Sequence, residues 1–197
     1  MNQDRAQQHV LAAVAPLGAD YVSVIQRAFN ERWIDLFPNP GKRSGAYSQG
    51  GAYDVHPYML INYNGKYDDM STLTHELGHA MQSYYSNKTQ PYPMADYPTF
   101  VAEVASTFNE SLLVDHMLKT IDDDATRVSL LGSYLENIKG TAKEVAGKTV
   151  GSDELAKEGQ AQQKKEHKKD EAEQLQQEAA QKKQEAAGHA SQEQKHQ

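Results

Sequence analysis

His75-Glu76-Leu77-Gly78-His79 reads H-E-x-x-H, a spacing in which two histidines can share one divalent metal ion and the glutamate can act as general base. The spacing works because a helix of ~3.6 residues per turn stacks residues four apart on one face. Both imidazoles then reach the same ion without distorting the backbone. Glu76 follows His75 by roughly 100° of rotation and falls beside the place where a water would sit. Zinc in catalytic sites takes three protein ligands and keeps a fourth position open. The chain has no cysteine, so a third ligand must be His or carboxylate. Glu103 lies 24 residues after His79, on a separate predicted helix, and would complete a His2Glu set at His75, His79 and Glu103. One zinc ion per chain is therefore expected, with Glu76 as the base. Glu110 shares a helical face with Glu103 and could hold a ligand imidazole through its other ring nitrogen.

These residues need two helices packed side by side. The metal helix is predicted to start at Asp68 or Asp69 as N-cap and to run to about Tyr85, burying Leu73, Leu77 and Ala80. A helix beginning near Thr99 carries Glu103 and Glu110 together with Phe100, Val101, Val104, Phe108, Leu112 and Met117. Upstream, residues 3–15 form a helix ended by Pro16 and Gly18. A second begins at Asp20 with Val22, Ile25, Phe29, Trp33 and Leu36 as its apolar stripe. Between residues 44 and 64, glycines and aromatic residues suggest two short strands, around Ala46-Tyr47-Ser48 and Pro57 to Tyr63, beside the metal helix. Asp122, Asp123 and Asp124 open a last core helix through Val128, Leu131, Leu135 and Ile138. His56 reads as a structural hydrogen-bonding residue and His116 as a surface or packing residue.

Composition divides the chain near residue 140. Residues 1–140 carry 10 Lys+Arg against 16 Asp+Glu, while residues 141–197 carry 10 against 11 and no aromatic side chain. The acidic first part argues against a nucleic-acid partner. No stretch approaches the ~18 apolar residues of a membrane span, and no sustained apolar leader opens the chain. A cytoplasmic protein is the expectation. The last forty residues are mostly Gln, Lys, Glu and Ala, a composition that favours a solvated helix or a disordered tail over a packed core.

Beyond the pentapeptide, Gly41-Lys42-Arg43-Ser44-Gly45-Ala46-Tyr47, His56-Pro57-Tyr58, Leu73 to Ala80, Ser83-Tyr84-Tyr85-Ser86-Asn87 and Phe100 to Thr107 occur in one order. Over about residues 17–141 the chain resembles the catalytic core of the oligoendopeptidase F and thimet oligopeptidase family of zinc peptidases. The resemblance implies a mainly α, zincin-like core with a short β-hairpin in residues 1–140. It implies His75, His79 and Glu103 as zinc ligands, and Glu76 as the base that assists water in cleaving short peptides. In that family the oxyanion is stabilised by His and Tyr residues downstream of the matched region, which this sequence does not contain. Tyr47, Tyr58 and Tyr63 are the nearest substitutes. From Ile138 onward, Ile138 to Lys148, Asp153-Glu154-Leu155 and Glu158 to Gln163 resemble CsbD-like bacterial stress-response proteins. The expected organisation is thus a partial peptidase domain at 1–140 fused to a polar CsbD-like tail at 141–197. The competing functional expectation is a non-enzymatic, stress-associated protein, or an inactive zinc-binding fragment.

Overall fold

The computed structural model describes residues 1–150, 154 and 157–161. Expectations for the remaining tail positions lie outside the described residues. The first of two units spans Met1–Leu131, and the second begins at Gly132.

The first unit opens with α1 (Gln3–Val14), capped by the Asn2 side chain, which accepts from the Arg5 amide. A 3-10 turn at Ala15–Leu17 carries Pro16 and ends at Gly18, whose φ of 96° suits glycine. Helix α2 (Ala19–Asn30) follows. It stops short of Trp33 and Leu36, against the expectation that both extend its stripe. Arg32, at φ 60°, turns the chain into β1 (Ile34–Asp35), and Trp33 is instead buried at the entrance to a strand. An apolar residue at helical spacing is equally compatible with an extended segment once a left-handed residue breaks the phase.

The two expected strands are present as β2 (Tyr47–Gln49) and β3 (Tyr58–Leu60), paired antiparallel. β3 is central. It pairs with β1 in parallel, Ile34 opposite Met59, giving the order β1-β3-β2. β2 is therefore an edge strand, with one side of its backbone free of the ladder.

Helix α3 (Tyr67–Thr89) carries the H-E-x-x-H pentapeptide. Its N-cap is Lys66, where Asp68 or Asp69 was expected. Asp69 sits one turn further in and its carboxylate accepts from the Lys66 and Asn64 amides, at 2.9 and 2.8 Å. An acidic residue satisfying free amides at the first turn serves the helix as a cap would. Helix α4 (Thr99–Thr120) begins where expected. Helix α5 (Asp124–Val150) starts at the expected aspartates, with the Asp123 side chain accepting from the Thr126 amide at 2.7 Å.

The core lies where α1, α2, the sheet, α3 and α4 meet, and includes Val10, Val14, Ile25, Trp33, Ile61, Met70, Leu73, Leu77 and Leu113. Leu73, Leu77 and Ala80 are buried as predicted. The apolar residues on the other flank of α4 are not: Phe100, Val104 and Phe108 are each more than half exposed. On α5 the inward residue is Leu130, and Val128, Leu131, Leu135 and Ile138 are exposed. None of the helices among the described residues is long and apolar enough to cross a membrane.

Candidate metal centre

The metal ligands proposed from sequence converge. Acceptor or donor atoms of His75, His79 and Glu103 all lie within 4.8 Å of one another. Glu103 Oε2 is 3.6 Å from His75 Nε2 and 3.9 Å from His79 Nε2. These separations exceed a hydrogen bond. They are a few tenths of an ångström wider than the roughly 3.3–3.5 Å between ligand atoms that each sit ~2.0–2.1 Å from one tetrahedral zinc ion, so a small inward shift of the side chains would bring them to ligand spacing. The two imidazoles are near perpendicular, 85° apart with centroids at 4.7 Å, and both Nε2 atoms lie near the same oxygen, Glu103 Oε2. Two nitrogens and a carboxylate oxygen form a donor set suited to zinc, and the site residues fit the ion.

The convergence depends on how closely α3 and α4 approach. Gly78 stands between the two histidines, and a Cβ there would meet Ser106 Cα at 2.5 Å and the Ala105 carbonyl oxygen at 2.8 Å. Only a hydrogen fits. The crossing is held further by Asn109, which is buried and donates to the Thr74 carbonyl at 3.5 Å. Tyr21 on α2 donates its hydroxyl to Asn109 Oδ1 at 3.0 Å. Burial pushes the Tyr21 hydroxyl up to about 12, only partly opposed by Asn109, so it stays a donor throughout the physiological range. Sequence reasoning did not single out Gly78, Ser106, Asn109 or Tyr21. Glycine within a helix, costing about 1 kcal/mol against alanine, was the one available signal that something presses on that face.

Glu110 takes up the expected supporting place, with Oε2 3.4 Å from His75 Nδ1. That leaves His75 Nε2 to face Glu103, the arrangement in which a carboxylate sets the tautomer of a ligand imidazole. Burial pulls the His75 pKa down, but Glu110 and the charges of Glu76 and Glu103 outweigh it and raise it overall. His79 moves the other way, lowered by burial and by its neighbour His75.

Glu76 is buried and its Oε2 has no hydrogen-bond partner. Burial raises its pKa to about 7, with the Glu103 and Glu110 carboxylates adding to the effect and His75 and the Ser48 backbone amide opposing it. A carboxyl that titrates near neutrality can both take and return a proton. The Ser48 amide belongs to edge strand β2, so that strand runs alongside Glu76. The chain just past it is fastened to α3: Asn87 donates to the Gly50 carbonyl at 3.0 Å, and a Cβ on Gly50 would collide with the Ser83 side chain.

The other histidines stand outside this centre. His56 stacks on Trp33 with centroids 4.6 Å apart and donates through Nδ1 to the Pro57 carbonyl at 2.9 Å, in keeping with a structural role. His116 packs against His9, with their ring nitrogens at 3.1 Å. Tyr63 is buried and donates to the Met1 carbonyl, while Tyr47 and Tyr58 are half exposed on the sheet.

Comparison with known proteins agrees with this architecture. The chain is 44% identical over 138 residues to oligopeptidase PepF of Bacillus subtilis, covering 70% of this chain and 20% of that protein. It is 47% identical over 134 residues to the chromosomal oligoendopeptidase F of Lactococcus lactis subsp. cremoris, covering 68% and 22%. A crystal structure of a Chlamydophila abortus protein described as a peptidase superposes with a TM-score of 0.62 at 36% identity, over 77% of this chain and 27% of that one. The chain thus spans about a fifth of the length of the curated relatives it matches. The model of peptidase family M3 matches residues 5–197, and the chain belongs to that family.

Proposed function

We propose that this chain carries the zinc site and general base of a metalloendopeptidase that hydrolyses short peptides. The observation that carries the reading is the convergence of His75 Nε2, His79 Nε2 and Glu103 Oε2 beside a buried carboxyl, Glu76, with an unpartnered oxygen. His75, His79 and Glu103 would hold the ion. Zinc in such a site polarises a carbonyl and makes a bound water acidic. Glu76 would take the proton of the attacking water and return it to the leaving amine. Glu110 would keep His75 in the tautomer that presents Nε2. Edge strand β2 passes Glu76, the place where an extended peptide would add to the sheet by main-chain hydrogen bonds. Short peptides fit the names of the oligopeptidase relatives, and a cytoplasmic location is part of the same proposal.

A second reading is a zinc-binding chain that does not cleave peptides, since the same three side chains would hold the ion with or without hydrolysis. Zinc content and hydrolysis of a quenched-fluorescent peptide separate the two. The enzyme reading expects one zinc per chain and cleavage abolished by a chelator and restored by zinc. One zinc per chain with no chelator-sensitive cleavage would leave only the binding site. No zinc at all would remove both.

For residues 141–197 the proposal is a polar CsbD-like tail following a 1–140 peptidase portion, supported by the sequence from Ile138 to Lys148. Sequencing the locus across codons 130–150 in an independent isolate tests it, and an uninterrupted peptidase frame there would overturn the fusion.

A further inference from the structure

We propose that Ser106 is a positioning residue that sets Glu103 in the orientation needed of a metal ligand. The proposal rests on the zinc reading above. The Ser106 hydroxyl donates to Glu103 Oε2 at 3.0 Å, and Oε2 is the same oxygen that faces both imidazoles. One lone pair of that oxygen is thereby occupied, and the other is left toward the histidines.

The plain alternative is that a helical serine merely bonds back to its own backbone. Ser106 Oγ does lie 3.2 Å from the Glu103 carbonyl oxygen. That carbonyl, however, already accepts from the Thr107 hydroxyl, whereas the carboxylate is charged, closer and the stronger acceptor. Ser106 is completely buried, so its hydroxyl has no water to turn to and would be costly if left unpaired. The packing alone does not ask for a hydroxyl. Where Gly78 and Ser106 touch, the contacts are to Ser106 Cα and its amide nitrogen, which alanine would present equally well. The oxygen is explained by the carboxylate beside it. Glu103 has three side-chain torsions, and a fixed donor at its tip removes the orientations that turn Oε2 away from the histidines.

The test compares the full chain with its Ser106→Ala variant. Zinc affinity is read by competition with a chromogenic chelator, the ligand field by the visible spectrum of the cobalt-loaded protein, and packing by the Tm of the metal-free protein. Ser106→Ala is expected to weaken zinc binding by ~10–100-fold, the usual effect of removing a group that orients a ligand, and to change the cobalt spectrum. Metal-free Tm is expected to stay level or rise, since alanine is the better helix former. Unchanged affinity and spectrum would overturn the proposal. So would a fall in affinity accompanied by a comparable fall in metal-free Tm, which would make Ser106 a packing residue. If the parent chain bound neither zinc nor cobalt, the zinc reading would itself fail and take the proposal with it.

Discussion

Gly78→Ala is expected to destabilise the metal-free chain and to weaken zinc binding by ~100-fold or more, although the same substitution in an exposed helix would stabilise it. The new Cβ would lie 2.5 Å from Ser106 Cα, 2.8 Å from the Ala105 carbonyl oxygen and 2.9 Å from the Ser106 nitrogen. All three are backbone atoms, so no side chain can swing aside and α4 must move as a body. Overpacking of this kind costs about 1–3 kcal/mol. Contacts this short to backbone atoms put the cost at the upper end of that range, above the roughly 1 kcal/mol of helix propensity that alanine brings, so the net effect is a loss. The metal effect is the larger because ligand distances tolerate only about 0.2 Å, and Glu103 rides on the helix that is pushed. Gly132 on α5 supplies the contrast: a Cβ there meets nothing within 4 Å, so Gly132→Ala should leave zinc affinity alone and hold or raise stability. Thermal unfolding of metal-free protein and chelator competition on both variants check this. A Gly78→Ala protein with parental Tm and parental affinity would mean that the two helices do not depend on that contact.

The residues of the candidate centre were legible because they follow local rules. His75 and His79 are fixed to one face by helical periodicity, and Glu103 and Glu110 to one face of the next helix, before any tertiary structure is known. The fold class was legible for the same reason: α1 ends at Pro16 and Gly18 and α5 opens at its aspartates, signals carried by a few neighbouring residues. What stayed hidden depends on partners distant in the chain. Trp33 sits at a helical interval from Phe29, yet it heads β1 because Met59 and Leu60 pair with Ile34 and Asp35 from 25 residues away. Phe100, Val104 and Phe108 look like core residues of α4, but the helix has only one buried face, and Ser106, Asn109 and Leu113 occupy it. The polar members of that face are the telling case. Serine and asparagine read as solvated by type, and only the proximity of Glu103 and of the Thr74 carbonyl makes them interior residues. The glycine between the histidines likewise carries no chemistry of its own. It matters because it lets two helices close to the distance at which three ligand atoms can meet.

Glu76→Gln should separate what the base does for stability from what it does for turnover. Catalysis is the simpler part. Loss of a positioned general base lowers rate by ~10²–10⁴-fold, so any chelator-sensitive peptide cleavage should fall by that much while zinc remains bound. The stability effect has the opposite sign. Glu76 titrates at 4.5 when unperturbed and at about 7 in the folded, metal-free chain. The fold therefore favours the protonated form, and the stability this contributes is fully present below pH 4.5 and lost as pH rises through about 7. A rise of that size corresponds to roughly 3 kcal/mol, at 1.36 kcal/mol per pH unit. Glutamine stays neutral and avoids the loss. Metal-free Glu76→Gln should match the parent near pH 4 and exceed it at pH 8 by up to ~3 kcal/mol, or several degrees in Tm. A cation bound at His75, His79 and Glu103 would favour the charged carboxylate, so zinc should raise the parent's Tm at pH 8 by more than it raises the variant's. Equal stability of the two metal-free proteins at pH 8 would show that Glu76 is not held in the water-poor environment that suits a base working near neutrality. The unpartnered Oε2 of the buried carboxyl makes that outcome the harder one to reconcile with the structure.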